Sequence, residues 1–260
     1  MNPFYKSIKL ALIIVMSLIA NYSYAMVTYD GVEYQYYSDG RAYTSQLSRD
    51  RKYSGDITVH GMIEVNDKIY TVVGVGSNTF SECYELTGVS LPETLTIIGY
   101  KAFLGCYNLS TDISLPNVTF IRDFAFSGCK SIPSIYLGDN VTHIGQSAFQ
   151  GCSSISEIII PNGVTTIEAV VFANCTNLKT INFHCNPDSI KGSAFDSCTS
   201  LETIKVPNSV KFIGERVFSC CTSLKNIILP EGLEYIDECT FYMCESLDSI
   251  ILPQSITYIT

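Results

Sequence analysis

The sequence predicts a solenoid of short coils. A parallel β-sheet is expected along one face, 3₁₀ or helical turns along the other, and a β-rich cap at the N-terminal end. Three observations carry this. Cys83, Cys106, Cys129, Cys152, Cys175, Cys198, Cys221 and Cys244 follow one another at intervals of 23 residues. Phe80, Phe103, Phe126, Phe149, Phe172, Phe195, Phe218 and Phe241 stand three residues before them and keep the same interval. An aliphatic residue follows three places after each cysteine, from Leu86 to Leu247. Fixed spacing has a physical cause: a solenoid coil touches only its neighbours, so each apolar position must stack on its own copy one coil later. The one length variation obeys this rule. Leu109-Ser-Thr-Asp-Ile113 is one residue longer than Leu86-Thr-Gly-Val89, and Pro116 to Ile121 is one shorter than Pro92 to Ile98, which restores register within a coil.

The chain opens with a targeting pattern. Lys6 and Lys9 precede an apolar run from Leu10 to Ala20, and Ser23 and Ala25 are the small residues of a cleavage site before Met26. A helix over that run rises only about 16 Å, against roughly 30 Å of hydrocarbon, so residues 1–25 read as a secretory signal peptide and not as an anchor. No cysteine sits at the cut, which leaves the lipoprotein route without support, and no later stretch predicts a span in the mature chain. Residues 26–75 are Tyr-rich (Tyr29, Tyr34, Tyr36, Tyr37, Tyr43, Tyr53) and lack the repeat. Asp30-Gly31 and Asp39-Gly40 are turn signals between strand-like runs. This segment reads as a β cap ending in a transitional coil built from Ile57–Val59 and Tyr70–Val73. Residues 76–260 then make about eight coils, the last incomplete.

Within each coil the L-x-x-I-x-L pattern alternates inward and outward at its end, as a short strand does. Pro92, Pro116, Pro161, Pro207, Pro230 and Pro253 close it where a missing N–H does little harm. Gly138 and His184 take that place in two coils. A second extended piece, such as Val164-Thr-Thr-Ile167, leads to Gly76, Gly99, Gly145 and Gly214. A positive φ at a corner is the expected reason for glycine there, preferred but not required, since Arg122, Glu168, Lys191 and Asp237 hold the same place. The A-F-x-x-C stretch is predicted as one turn of helix or 3₁₀ helix, with Phe filling the wide part of the core.

This signature, Phe three before Cys and then L-x-x-I-x-L-P-x-x-V-x-x-I-G, resembles the BspA-like leucine-rich repeats. The resemblance covers roughly Ile57 to Thr260, and the Asp30-Gly31-Val-Glu-Tyr34 opening is also similar to the start of such proteins. It implies a leucine-rich-repeat solenoid in a surface or secreted protein of a host-associated microbe, acting in adhesion to host matrix proteins or to other cells. It brings no catalytic motif.

Sixteen basic against twenty-five acidic residues give a net charge of −9. Loss of the signal segment with its two lysines takes that to −11. Phosphate-backbone binding is therefore not expected. Ladder cysteines in file cannot converge on a metal. In-register side chains also hold their Cβ atoms near the strand spacing, beyond the reach of a disulfide, so these eight read as core thiols and no metal is expected. Cys185, Cys220 and Cys239 fall off the register and are candidates for exposure. His60, His143 and His184 share no periodic face; His184 beside Cys185 suggests a nucleophile–base pair, yet adjacent turn residues usually point apart and no orienting third group is present. The sequence supports neither catalysis nor a cofactor. Sequons at Asn108, Asn117, Asn140 and Asn174 would matter only in a eukaryotic secretory pathway.

The outward side of the sheet is the best functional candidate. The residue between the two inward strand positions reads Ser90, Ser114, Tyr136, Ile159, Asn182, Lys205, Ile228 and Ile251. Tyr136 and Ile159 are expected to be neighbours, as are Ile228 and Ile251. Apolar residues exposed in file mark a binding surface, although β-propensity alone also favours Ile and Tyr in strands. The candidate protein-binding face is therefore Tyr136, Ile159, Asn182, Lys205, Ile228 and Ile251. The alternative is a structural spacer that self-associates end to end through the open edge of its final coil.

Overall fold

A computed structural model describes residues 24–47 and 52–259. The segment expected to be a signal peptide, apart from Tyr24 and Ala25, lies outside the described residues. The chain begins with an antiparallel meander, β1 (Tyr24–Tyr29), β2 (Val32–Tyr37) and β3 (Arg41–Ser45). Asp30 and Gly31 turn β1 into β2 with φ of 49° and 80°, the left-handed pair that a two-residue hairpin requires. Tyr24 and Ala25 pair with Tyr37 and Tyr36, so a cut after Ala25 would shorten β1 to Met26–Tyr29. Then come β4 (Gly55–Thr58), β5 (Met62–Val65) and β6 (Lys68–Val75), with β5 and β6 forming a second hairpin. Tyr34 is fully buried, and its hydroxyl accepts the His60 N–H at 3.1 Å.

Each coil then adds one strand and one two-residue strand. In order these are β7 (Leu86–Ser90) and β8 (Ile97–Ile98), β9 (Ile113–Leu115) and β10 (Phe120–Ile121), β11 (Ile135–Leu137) and β12 (His143–Ile144). They continue as β13 (Glu157–Ile160) and β14 (Thr166–Ile167), β15 (Thr180–Phe183) and β16 (Ser189–Ile190), β17 (Thr203–Lys205) and β18 (Phe212–Ile213). The series closes with β19 (Asn226–Ile228), β20 (Tyr235–Ile236) and β21 (Tyr258–Ile259). All inter-coil pairing is parallel. The compensated insertion appears in the registers: Ile135 pairs with Ile113, 22 residues back, whereas Phe120 pairs with Ile97 at the regular 23.

The fold is the predicted leucine-rich-repeat solenoid, with three corrections of detail. First, there are two parallel ladders and not one. The longer strand of each coil pairs only two by two (β4–β7, β9–β11, β13–β15, β17–β19), while the two-residue strands form the longer sheets. One of these runs β1-β2-β3-β6-β8-β10-β12, and the other runs β14-β16-β18-β20-β21. Second, no helical segment forms among the described residues. The outer stretch is a chain of turns, because two positions per coil are left-handed: Asn78, Lys101, Phe124, Ser147, Val170, Ser193, Arg216 and Cys239 at φ 53° to 60°, and Glu82 to Met243, one before each ladder cysteine, at 55° to 78°. A helix cannot pass through such residues. Alternate N–H groups close tight turns (Ala102 on Gly99, Leu104 on Lys101, Cys106 on Phe103), and those between donate to the next coil (Phe103 to Ala125, Gly105 to Ser127). Third, Gly99 has no positive φ. A Cβ there would lie 2.7 Å from backbone atoms of Val75, Gly76 and Ser77, so glycine is set by close approach of the preceding coil.

The core is a spine of aromatic rings. Phe80 through Phe241 stack at centroid spacings of 5.0 to 5.9 Å with interplanar angles of 1° to 16°. Tyr53 covers the first ring at 4.8 Å. Its hydroxyl donates to the Ser45 carbonyl and accepts the Glu33 N–H.

Candidate functional site

Strand alternation turns Tyr136, Ile159, Asn182, Lys205 and Ile228 outward. Tyr136 is 58% exposed, Ile159 42%, Ile228 59% and Ile251 88%. Lys205 is exposed and sits opposite Ile228 across β17–β19. Asn182 is half-buried opposite Ile159, and its amide donates to Glu157 Oε1 at 2.7 Å. Tyr136 and Ile159 come together across the unpaired gap between β11 and β13, where they line a depression of about 390 Å³ with Asp139, Glu157 and His184. Asn182 and Lys205 line a similar depression of about 400 Å³ in the gap between β15 and β17. Ile228 and Ile251 are not joined in the same way: Ile251 lies in no strand, and β19 pairs only with β17.

One ion pair stands on the polar flank of this ladder. Lys225 Nζ lies 2.9 Å from Glu202 Oε2. The Lys225 hydrogen bond and charge, with Lys179 behind them, hold the Glu202 carboxyl below its usual range.

Each ladder cysteine from Cys106 to Cys244 donates its thiol to the carbonyl of the Phe one coil earlier, at 3.0 to 3.3 Å. That bond gives each enclosed thiol an acceptor. Sequence spacing could not show it, because the acceptor is a main-chain atom. All eleven cysteines are free. Burial pushes the Cys175 thiol up to about 12. Cys185 corrects the expectation for the off-register group: it is buried, with its thiol pushed up to about 11. Pro187 sits at the position held by Val164 and Val210, and the rearranged turn folds Cys185 into the core while leaving His184 exposed. The two side chains therefore part, and the nucleophile–base pairing does not form. Cys220 is half-buried and Cys239 exposed. A native thiol titration should label Cys239 first and Cys220 next, with all eleven reacting only in denaturant. Intact mass after labelling checks this, and a count below eleven in denaturant would mean disulfides.

The three histidines are kept apart. His60 meets Asp30 at 3.0 Å in the cap, His143 lies on β12, and His184 follows β15. Among the described residues no cluster of His, Cys, Asp and Glu could hold a metal ion. No helix there is long and apolar enough to cross a membrane.

A parallel-ladder solenoid with an exposed strand file is the architecture of a repeat module of the structural or interaction kind. The chain belongs to the BspA type leucine-rich repeat family, whose profile matches residues 73–202 and 172–260 in six copies. A leucine-rich repeat protein of Bacteroides ovatus is similar over 94% of this chain, with 28% identity and a TM-score of 0.76. This chain spans 60% of that protein's length. The leucine-rich repeat protein of Treponema pallidum shares the fold at 24% identity, with a TM-score of 0.57 over 83% of this chain and 87% of the other. No curated protein matches the sequence.

Proposed function

We propose that this chain is a secreted or cell-surface recognition module of a host-associated microbe, which adheres to a host or microbial protein through the outward face of the longer strand of each coil. The observation that carries the reading is the exposure of Tyr136, Ile159 and Ile228 at strand positions where only the outward side is open. Large apolar side chains exposed in file are unfavourable in water unless a partner covers them. The family's typical surface location and the signal pattern of residues 1–25 agree with it.

The test is capture of the protein on immobilised host matrix proteins and mucosal extract. A variant with Tyr136→Ser, Ile159→Asp, Ile228→Ser and Ile251→Asp should lose about tenfold or more in retention. Its melting temperature should stay within a few degrees of the parent, because all four side chains face solvent. Unchanged retention would overturn the sheet-face reading.

A further inference from the structure

We propose that the depression between β11 and β13 receives a lysine or arginine side chain from a protein segment lying across this ladder. The inference rests on the sheet-face reading and names the chemistry of its partner. Tyr136 and Ile159 supply an aromatic ring and an aliphatic surface, and Ser134 and Ser156 add hydroxyls. Asp139 and Glu157 stand at the rim, both exposed.

Neither carboxylate takes part in an ion pair among the described residues. Glu157 accepts only the neutral Asn182 amide. Lys225 is paired with Glu202, Lys179 forms no ion pair among the described residues, and Lys205 lines the next depression. A ring, an aliphatic surface and two carboxylates without a cation match a long basic side chain, whose stem can lie on the apolar surface while its head meets the acids. The protein uses the same chemistry within itself. Lys130 Nζ sits 5.0 Å over the Tyr107 ring, Lys101 5.0 Å over Tyr100, and Arg122 5.6 Å over Phe120. A net charge of −9 adds long-range attraction for a basic partner and repulsion for an acidic one.

The experiment uses the full chain and two fluorescein-labelled peptides of equal apolar content, one alternating Val with Arg and the other Val with Glu. Binding is read by anisotropy at about 0.15 M salt. The basic peptide should bind about tenfold more tightly than the acidic one, and Asp139→Asn with Glu157→Gln should weaken it about fivefold. Tyr136→Ser should weaken it similarly. Glu231→Gln with Glu234→Gln, which removes the same charge elsewhere on the solenoid, should change it by less than about twofold. Equal or better binding of the acidic peptide overturns the proposal. So does equal weakening by the two charge variants, which would reduce the effect to overall charge. If the basic peptide fails to bind while the four-residue sheet-face variant still loses capture on matrix proteins, this inference falls and the recognition face stands. If that capture is also unchanged, both fall.

Discussion

Stability in reducing buffer is expected to stay level from about pH 6 to about pH 7.5, then to fall with increasing slope and collapse by about pH 9.5. The cause is the thiol ladder. Burial raises the Cys129, Cys152, Cys175, Cys198 and Cys221 thiols well above the ordinary value, and lifts Cys83, Cys185 and Cys244 to about 11. In the unfolded chain each ionises near about 8.5. Between those two values the unfolded state holds fewer protons than the folded state, so the slope of unfolding free energy against pH is negative. Stability is therefore complete below the unfolded value and is lost as pH rises above it. Each thiol removes about 1.4 kcal/mol per pH unit in that window. The first five of these together remove about 7 kcal/mol per unit if they unfold as one block, against a typical total of about 5–15 kcal/mol. A solenoid that melts in segments divides the loss among them without changing its sign. Burial pushes Tyr34 up to about 12 and raises Tyr53 too, which extends the same trend to higher pH. Urea midpoints measured with a phosphine reductant from pH 7 to about 10.5 would show the collapse. A midpoint level to pH 10 would contradict it. Cys152→Ala should lower neutral stability by about 2 kcal/mol, through loss of the bond to Phe126 and a small cavity, and should also make the alkaline slope shallower by one thiol's share.

The solenoid was legible because its determinants are side chains in register: Phe, Cys and Leu repeat at the coil length, and a solenoid allows no slip. What stayed hidden depends on main-chain geometry. Lys101, Phe124, Ser147, Val170 and Arg216 all occupy the same left-handed position, yet their types share nothing. The inter-coil bonds over-determine that conformation, so composition carries no trace of it. Gly99 and Gly145 did stand out, but close approach and positive φ leave the same signature in a single sequence. The candidate face was readable as a file of outward residues. Its division into separate depressions was not, since that follows from strands pairing two by two. Asp139 and Glu157 belong to different coils, and their common depression exists only across an unpaired gap. His184 was visible as a replacement for the strand-closing proline and as a neighbour of Cys185, not as part of that depression.

Replacing Phe149 with alanine should divide the protein's unfolding into two transitions. At the boundary between the coil of β11 and β12 and the coil of β13 and β14, both ladders are interrupted at once: β11 does not pair with β13, nor β12 with β14. Apart from the Ser153 and Ser154 hydroxyls, which donate to the Lys130 carbonyl, the hydrogen-bonded continuity that remains is on the outer side. Ser147, Phe149 and Gly151 donate to Ala169, Val171 and Ala173 at 3.0, 3.0 and 2.8 Å. Phe149 stacks on Phe172 at 5.5 Å, and the Cys175 thiol donates to the Phe149 carbonyl at 3.2 Å. Deleting a fully buried ring costs about 3–5 kcal/mol wherever it sits. In a solenoid, however, cooperativity between halves is carried by the interface term of the coils that join them, and here the Phe stack is one of the few links left in it. Phe103→Ala removes an equivalent ring, but from a stretch where β8, β10 and β12 pair without a break. The two variants should lose similar stability and differ in form: Phe103→Ala melts as the parent does, and Phe149→Ala shows a biphasic urea curve. Thiol labelling at the intermediate plateau should then expose the ladder cysteines of one half before those of the other. A single shared transition for both variants would mean that the outer turns alone couple the halves.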